Sequence, residues 1–437
     1  MIYLGINIGH GASAALMING EVISTYQEER FTKVKNFVGY PKKSVQACLN
    51  IAKKKKLLIN HCGIATINRP IFVLKYPLDN YFTIENWIEY YLKFYSKQKK
   101  IDYTIQSIKE LKKNKRIDGY INYKKIKKDK YFNYEFNRKI YYDYCKKQCG
   151  KVVKKITFID HHTCHAYYAA FAPDINEKKS AILTIDSEGD GLNQTLWTFD
   201  KNKNVLKNIY ENDECDLARI YRFITLILKM KPNEHEFKVM GLAPYSKKEY
   251  SMKVYNEIFK DILHVRNCKV VHKHRPKDLF KYLYEKTRGC RFDSLAGAVQ
   301  ILVEKIVSKL IIQISKKYKI KIFSISGGVS MNIKMNKVLS ELKCVDKLYV
   351  ASTGTDESLS LGACYYLNRK GNNKPFKNIY LGRQLYDGIL TKNKIKIYFK
   401  DKKKYILKKN INHKYIAKLL SNGEIIAVAR DREESSP

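Results

Sequence analysis

Tyr3-Leu4-Gly5-Ile6-Asn7-Ile8-Gly9-His10-Gly11-Ala12-Ser13-Ala14-Ala15-Leu16-Met17 orients the reading of the whole chain. Its first seven residues are apolar and punctuated by glycine, the texture of a buried strand. His10-Gly11-Ala12-Ser13 makes a tight turn, and Ala14 to Met17 returns as a second strand. Asn19-Gly20 supplies the residues a two-residue hairpin turn requires, and Val22 to Thr25 follows as a third strand. A charged tail, Gln27 to Lys33, leads to a helix after Pro41.

The same grammar returns later. Ser180 to Asp186 reads as a strand, Ser187-Glu188-Gly189-Asp190-Gly191 as a turn, and Gln194 to Phe199 as a returning strand. Two glycine-turned hairpins imply two related halves facing one another. The fold expected is α/β, with a duplicated core like that of sugar kinases, heat-shock ATPases and actin, where each hairpin turn approaches a nucleotide's phosphates.

Further along, Leu295 to Ser315 has the three- and four-residue apolar spacing of a long amphipathic helix. It leads into a strand, Lys321 to Ile325, and the turn Ser326-Gly327-Gly328-Val329. Gly327 and Gly328 let backbone N–H groups approach an anion, and a following helix adds its dipole, so the turn is a candidate phosphate or ribose cradle. Leu348 to Ala351 is a further strand, Ser352-Thr353-Gly354-Thr355-Asp356 a turn, and a helix begins near Ser358. Residues 75–155, rich in Lys, Tyr and Ile and with helical spacing at Ile105 to Lys115, read as a solvated, partly helical insertion. Lys238, in Lys238-Val239-Met240-Gly241-Leu242-Ala243-Pro244-Tyr245, either meets a phosphate or is one more surface lysine. From Gly371 a Lys/Asn-rich linker begins. Ile425 to Ala429 is expected to be a strand, followed by charged loop chemistry in which the chain is expected to be cut short.

A chain of 437 residues implies two or three domains, and 45% hydrophobic content is enough for a large core, which excludes global disorder. The formal charge of +41 comes from 83 Lys+Arg against 42 Asp+Glu. Lys, Ile, Asn and Tyr are abundant and Arg is scarce. That spread points to AT-rich codon usage rather than to a clustered, Arg-rich nucleic-acid footprint, so nucleic acid is not expected as a partner. The ten cysteines form no CxxC pair, and Cys48, Cys344 and Cys364 lie in apolar runs; a reduced, cytoplasmic setting follows. The N-terminus lacks a basic n-region and no run of 18 apolar residues occurs, so neither a signal peptide nor a transmembrane helix is expected.

The sharpest chemical signal is Asp160-His161-His162-Thr163-Cys164-His165-Ala166. On a helix, His161 and His165 stand at i and i+4 on one face, where two imidazoles can share a metal ion; the alternative is a capping or core cluster. His162 points elsewhere and is given no ligand role. Asp186, ending a strand, and Asp356, before a helix, could complete the site, or serve as a turn residue and an N-cap. Two His and two Asp suit Fe²⁺, Mn²⁺ or Zn²⁺ better than Mg²⁺.

Six motifs in order carry a family resemblance: Gly9-His10-Gly11-Ala12-Ser13-Ala14-Ala15, Gln27-Glu28-Glu29-Arg30-Phe31, His161-His162 with His165, Leu183-Thr184-Ile185-Asp186, Lys238-Val239-Met240-Gly241-Leu242-Ala243, and Ser326-Gly327-Gly328-Val329. Together they resemble the O-carbamoyltransferases of the NodU/CmcH type. The resemblance implies a Kae1-like, actin-type (ASKHA) ATPase domain over residues 1–370 that carries the carbamoyl-transfer site. In it, His161, His165, Asp186 and Asp356 would hold a metal, Fe²⁺ foremost with Mn²⁺ or Zn²⁺ as alternatives. His10 would be catalytic, and Lys238, Gly327 and Gly328 would meet the nucleotide. Residues 371–437 would be a linker and the start of a truncated α+β YrdC-like domain. Arg432, Glu434 and Pro437 match that domain's Arg-x-Glu-x-Gly-Pro motif, with Ser436 at the glycine position and Arg432 as a nucleotide contact.

The substrates implied are carbamoyl phosphate, ATP and a hydroxylated sugar or natural product. Carbamoyl-adenylate would be the donor, and the truncation would leave adenylation itself incomplete. The rival readings are a threonylcarbamoyl-type tRNA-modifying enzyme and a non-catalytic actin-like nucleotide-binding protein.

Overall fold

The computed structural model of the chain describes residues 1–68, 82–93, 133–384, 408, 411–428 and 431–434. β1 (Ile2–Asn7), β2 (Ser13–Ile18) and β3 (Glu21–Gln27) form an antiparallel meander. β4 (His61–Ala65) and β5 (Ile156–Ile159) extend the sheet in parallel from the other side of β1, giving the order β3-β2-β1-β4-β5. In the second half, β6 (Lys179–Gly189), β7 (Leu192–Asp200) and β8 (Val205–Asn212) form another meander. Among the described residues β9 (Leu263–Arg266) and β10 (Lys269–His272) pair only with each other. β11 (Ile322–Ser326) and β12 (Lys347–Val350) run parallel to β6, giving β12-β11-β6-β7-β8. Both mixed sheets therefore repeat one plan, a meander with two parallel strands beside its first strand, as the paired hairpins implied.

The central strands are covered on both faces, so they read as continuous apolar runs rather than alternating ones: all six residues of β1 are buried. Against the first sheet lies the helix Lys42–Lys54, burying Val45, Cys48, Leu49 and Ala52. The second core is built around the helix Phe292–Tyr318, longer at both ends than its spacing marked. It buries Leu295, Val299, Leu302, Val303, Ile306, Leu310 and Ile314, each side chain contributing about 1.5–3 kcal/mol on leaving water.

Three expectations change. The charged tail contains a short helix, Glu28–Thr32, and Glu28 is buried. Its carboxylate accepts from Lys43 N (3.0 Å), Ser44 N (2.8 Å) and Ser44 Oγ (2.7 Å), so it caps the helix Lys42–Lys54 from outside that helix.

The described parts of residues 75–155 are helical as expected and solvated over most of their surface, but each helix also buries one face in a core. The helix Ile84–Lys93 buries Trp87, Ile88 and Tyr91 in the second core, with Tyr91 edge-on to Phe223 at 5.0 Å. The helix Tyr134–Cys149 buries Tyr141, Cys145 and Cys149 in the first. Ile105 to Lys115 lies outside the described residues.

The expected strand from Ile425 is not formed over residues 425–428, where Ile425 is 99% exposed. An apolar run becomes a strand only where another strand offers a ladder, and none among the described residues does.

Contacts divide the chain into a large unit, Met1–Lys377, and a small one, Asn378–Ser435. Among the described residues no helix is long and apolar enough to cross a membrane.

Candidate metal centre

The helix His161–Phe171 starts immediately after β5, and its N-cap Asp160 accepts a hydrogen bond from Thr163 N at 2.7 Å. His161 thus sits in the first turn and His165 one turn on, both buried. Asp186 comes from β6, where the register with β7 shifts between Ile185 and Gly189 and releases it from the ladder. Its Oδ2 lies 3.3 Å from Nε2 of His161 and 3.3 Å from Nε2 of His165. Asp356 opens the 3₁₀ turn Asp356–Ser358, and its Oδ1 lies 3.6 Å and 3.7 Å from the same two nitrogens.

One donor atom from each of the four residues falls within 4.8 Å of all the others. Donors bound at about 2.1 Å to one tetrahedral ion stand roughly 3.4 Å apart, and the four histidine–aspartate distances of 3.3–3.7 Å match that spacing. Behind the cluster, His165 Nδ1 lies 3.1 Å from Ser326 Oγ, a contact that orients the ring. His161 Nδ1 is buried with no hydrogen-bond partner among the described residues.

The electrostatics agree with this geometry. Burial pushes the Asp186 carboxyl up, but its hydrogen bonds from His161 and His165 outweigh it and hold the group well below the ordinary carboxylate range. For His165, burial alone would lower the pKa, yet Asp186 and Asp356 raise it to about 9. A buried carboxylate held ionised against a histidine held protonated is a pair in which a cation can take the place of the proton. His162 behaves differently. Burial, then the neighbouring His161 and His165, lower it to about 3, and its Nδ1 meets Thr184 Oγ1 at 2.7 Å. It is a neutral core histidine.

His10 approaches the cluster from the turn between β1 and β2, with Nδ1 3.9 Å from Asp356 Oδ2. The buried Asn7 amide ties that turn to the second half, donating to His10 O (2.8 Å), Gly11 O (3.1 Å) and Asp356 O (2.9 Å). Gly327, at φ 90°, lets the chain turn where a Cβ would stand 2.2 Å from Ile185 O. A Cβ on Gly328 would be 3.2 Å from Asp186 Oδ1, so the glycine turn abuts the cluster.

Lys238 is not gathered in: it is exposed on the helix Glu236–Leu242, with Nζ 5.8 Å from the centroid of the Phe237 ring. Arg432 belongs to the small unit, where its guanidinium donates to the carbonyls of Gly382 (2.8 Å) and Leu381.

Asp190 was legible only as a turn residue. Its carboxylate accepts from Thr66 Oγ1 (2.6 Å), Asn68 N (2.8 Å), Ile67 N (2.9 Å) and His161 N (2.8 Å), anchoring the start of the histidine helix. Nothing in a Gly-Asp-Gly turn announces partners so distant in the chain.

Comparison with known proteins adds a family match: the model described as Carbamoyltransferase N-terminus matches residues 3–365. The chain is 26% identical over 445 residues to an uncharacterized protein of Methanocaldococcus jannaschii, covering 99% of this chain and 71% of that one. It is 26% identical over 239 residues to the nodulation protein NolNO of Sinorhizobium fredii, covering 53% of this chain and 34% of that one. Among solved structures, full-length HypF in its phosphate- and nucleotide-bound form aligns over 85% of this chain and 56% of that one, with a TM-score of 0.41 and 11% identity.

Proposed function

The chain belongs to the carbamoyltransferase family defined by that N-terminal region, and on this premise we propose that its large unit is the transfer site of an O-carbamoyltransferase of the NodU/CmcH type. The unit would be a Kae1-like, actin-type ATPase domain, and residues 371–437 a linker and the start of a YrdC-like domain. The donor is carbamoyl-adenylate, made from carbamoyl phosphate and ATP, and the acceptor is a hydroxyl of a sugar or natural product. The observation that carries the reading is the convergence of His161, His165, Asp186 and Asp356 beside His10 and the Gly327-Gly328 turn.

His161, His165, Asp186 and Asp356 would hold a divalent transition metal, Fe²⁺ foremost, with Mn²⁺ or Zn²⁺ as alternatives. When bound, it supplies Lewis acidity toward phosphate oxygens of the nucleotide. Gly327 and Gly328 keep side-chain bulk away from the space beside Asp186, so a phosphate can approach backbone N–H groups there. His10, held on the Asp356 side of the cluster, takes the proton of the acceptor hydroxyl. Splitting activation from transfer gives the carbamoyl carbon a good leaving group, AMP.

The test offers carbamoyl-adenylate directly to the purified protein with a panel of hydroxylated acceptors, which makes the outcome independent of adenylation. Carbamate ester formation that is lost in His10→Ala and Asp356→Asn supports the reading. Absence of transfer across the panel in metal-loaded protein sinks it.

A further inference from the structure

The His10 ring is held at its two nitrogens by groups of different kinds. Nε2 lies 3.1 Å from the backbone carbonyl oxygen of Asn233, while Nδ1 faces Asp356 Oδ2 at 3.9 Å. A carbonyl oxygen only accepts, so Nε2 must carry a proton. The neutral ring then keeps its lone pair on Nδ1, the nitrogen on the side of the His/Asp cluster. We propose that Asn233 is a positioning residue whose carbonyl locks His10 in the Nε2–H form, making Nδ1 the basic nitrogen.

The carbonyl is placed with care for a loop atom. Asn233 lies between the helices Leu217–Ile227 and Glu236–Leu242, at φ 64°, a left-handed backbone that asparagine tolerates and most residues do not. Its own N–H donates to Glu236 Oε1 at 2.7 Å, which anchors the residue from the helix side. The same carbonyl oxygen accepts a second bond, from Asn36 Nδ2 at 3.0 Å, and Asn36 N is held in turn by Glu29 Oε2 at 2.7 Å. Elements of both halves therefore locate one acceptor at the back of the His10 ring. No other hydrogen bond of the His10 side chain competes with it among the described residues.

The chemical consequence rests on the carbamoyl-transfer reading. The acceptor O–H bond breaks, its proton passes to Nδ1, and the freed electron pair forms the new O–C bond to the carbamoyl carbon. The C–O bond to the phosphate breaks with its pair, and AMP leaves. The tautomer itself does not rest on that reading, and it is measurable without turnover.

The experiment uses the full chain labelled with ¹⁵N-histidine, at about pH 8, above the ordinary histidine range. Long-range ¹H–¹⁵N correlation identifies the protonated nitrogen, and the His10 signals are assigned by their loss in His10→Gln. The expected result is protonated Nε2 in the parent chain and a tautomer mixture in Asn233→Ala, whose backbone resists φ 64°. With carbamoyl-adenylate, Asn233→Ala should lose on the order of 100-fold in kcat with KM little changed. Asn233→Gly, which keeps both the backbone geometry and the carbonyl, should restore the parent spectrum and rate. A proton on Nδ1 in the parent chain, or an unchanged His10 spectrum in Asn233→Ala, overturns the proposal. The Nε2–H tautomer in the parent chain and a mixture in Asn233→Ala, with no transfer from either, uphold the positioning role and count against the carbamoyl-transfer reading instead.

Discussion

Gly189 leaves exactly the room that the His161 imidazole fills: a Cβ at position 189 would stand 2.1 Å from Cδ2 and 2.2 Å from Cγ of the ring. The next residue, Asp190, takes the backbone N–H of His161 at 2.8 Å. A hairpin turn of the second half therefore seats both the ring and the backbone of a residue on the helix His161–Phe171. The geometry of the His/Asp cluster depends on that seat as well as on its own four side chains.

Gly189→Ala is expected to displace the His161 ring. Overpacking of this kind costs about 1–3 kcal/mol, and displacing one of four donors should weaken metal binding. Elemental analysis after loading should give a stoichiometric metal in the parent and a substoichiometric one in the variant, alongside a lower Tm.

Ser326→Ala keeps all four donors but removes the partner of His165 Nδ1. Metal affinity should fall about 10- to 100-fold, by competition against a chelator, while His165→Ala, which deletes a donor, falls further.

Chelated protein should show a pH dependence that loaded protein lacks. His165 is raised from 6.5 to about 9, with burial opposing and Asp186 and Asp356 prevailing. A raised folded pKa means that the stabilisation from this charge is full below 6.5 and is lost as the pH climbs through about 9. The Tm of chelator-treated protein should drop over that window, and His165→Gln should flatten the drop. In loaded protein the metal replaces the proton, and the drop should vanish.

Trp87→Ala tests whether the stretch that looks solvated in sequence is core. Trp87 is 6% exposed and stacks on Tyr91 at 5.8 Å. Loss of about 3–5 kcal/mol in denaturant unfolding is expected; a change below about 1 kcal/mol would mean the helix Ile84–Lys93 does not belong to the second core.

The sequence was most legible where local chemistry and final role coincide. Asn19-Gly20 makes the turn its residues demand, with both at positive φ, and His161 and His165 share a helix face because 3.6 residues make a turn. It was least legible where long-range packing decides. Lys and Tyr dominate residues 75–155, and composition averages hide the few positions, Trp87, Ile88 and Tyr91, that a helix gathers onto one buried face. Glu28 reads as one more surface charge until the start of the helix Lys42–Lys54 is brought against it.

Residue order alone determined the two hairpins, the histidine pair and the glycine turn, because each is set by neighbours within a few positions. Tertiary structure decided what these fragments do together. It brought Asp356 to His10 across most of the chain and to His161 across nearly half of it, left Lys238 exposed, and set a backbone carbonyl against the His10 ring. A carbonyl is present at every residue, so no sequence pattern marks the one that matters; only the folded backbone, by where it places that oxygen, can select it.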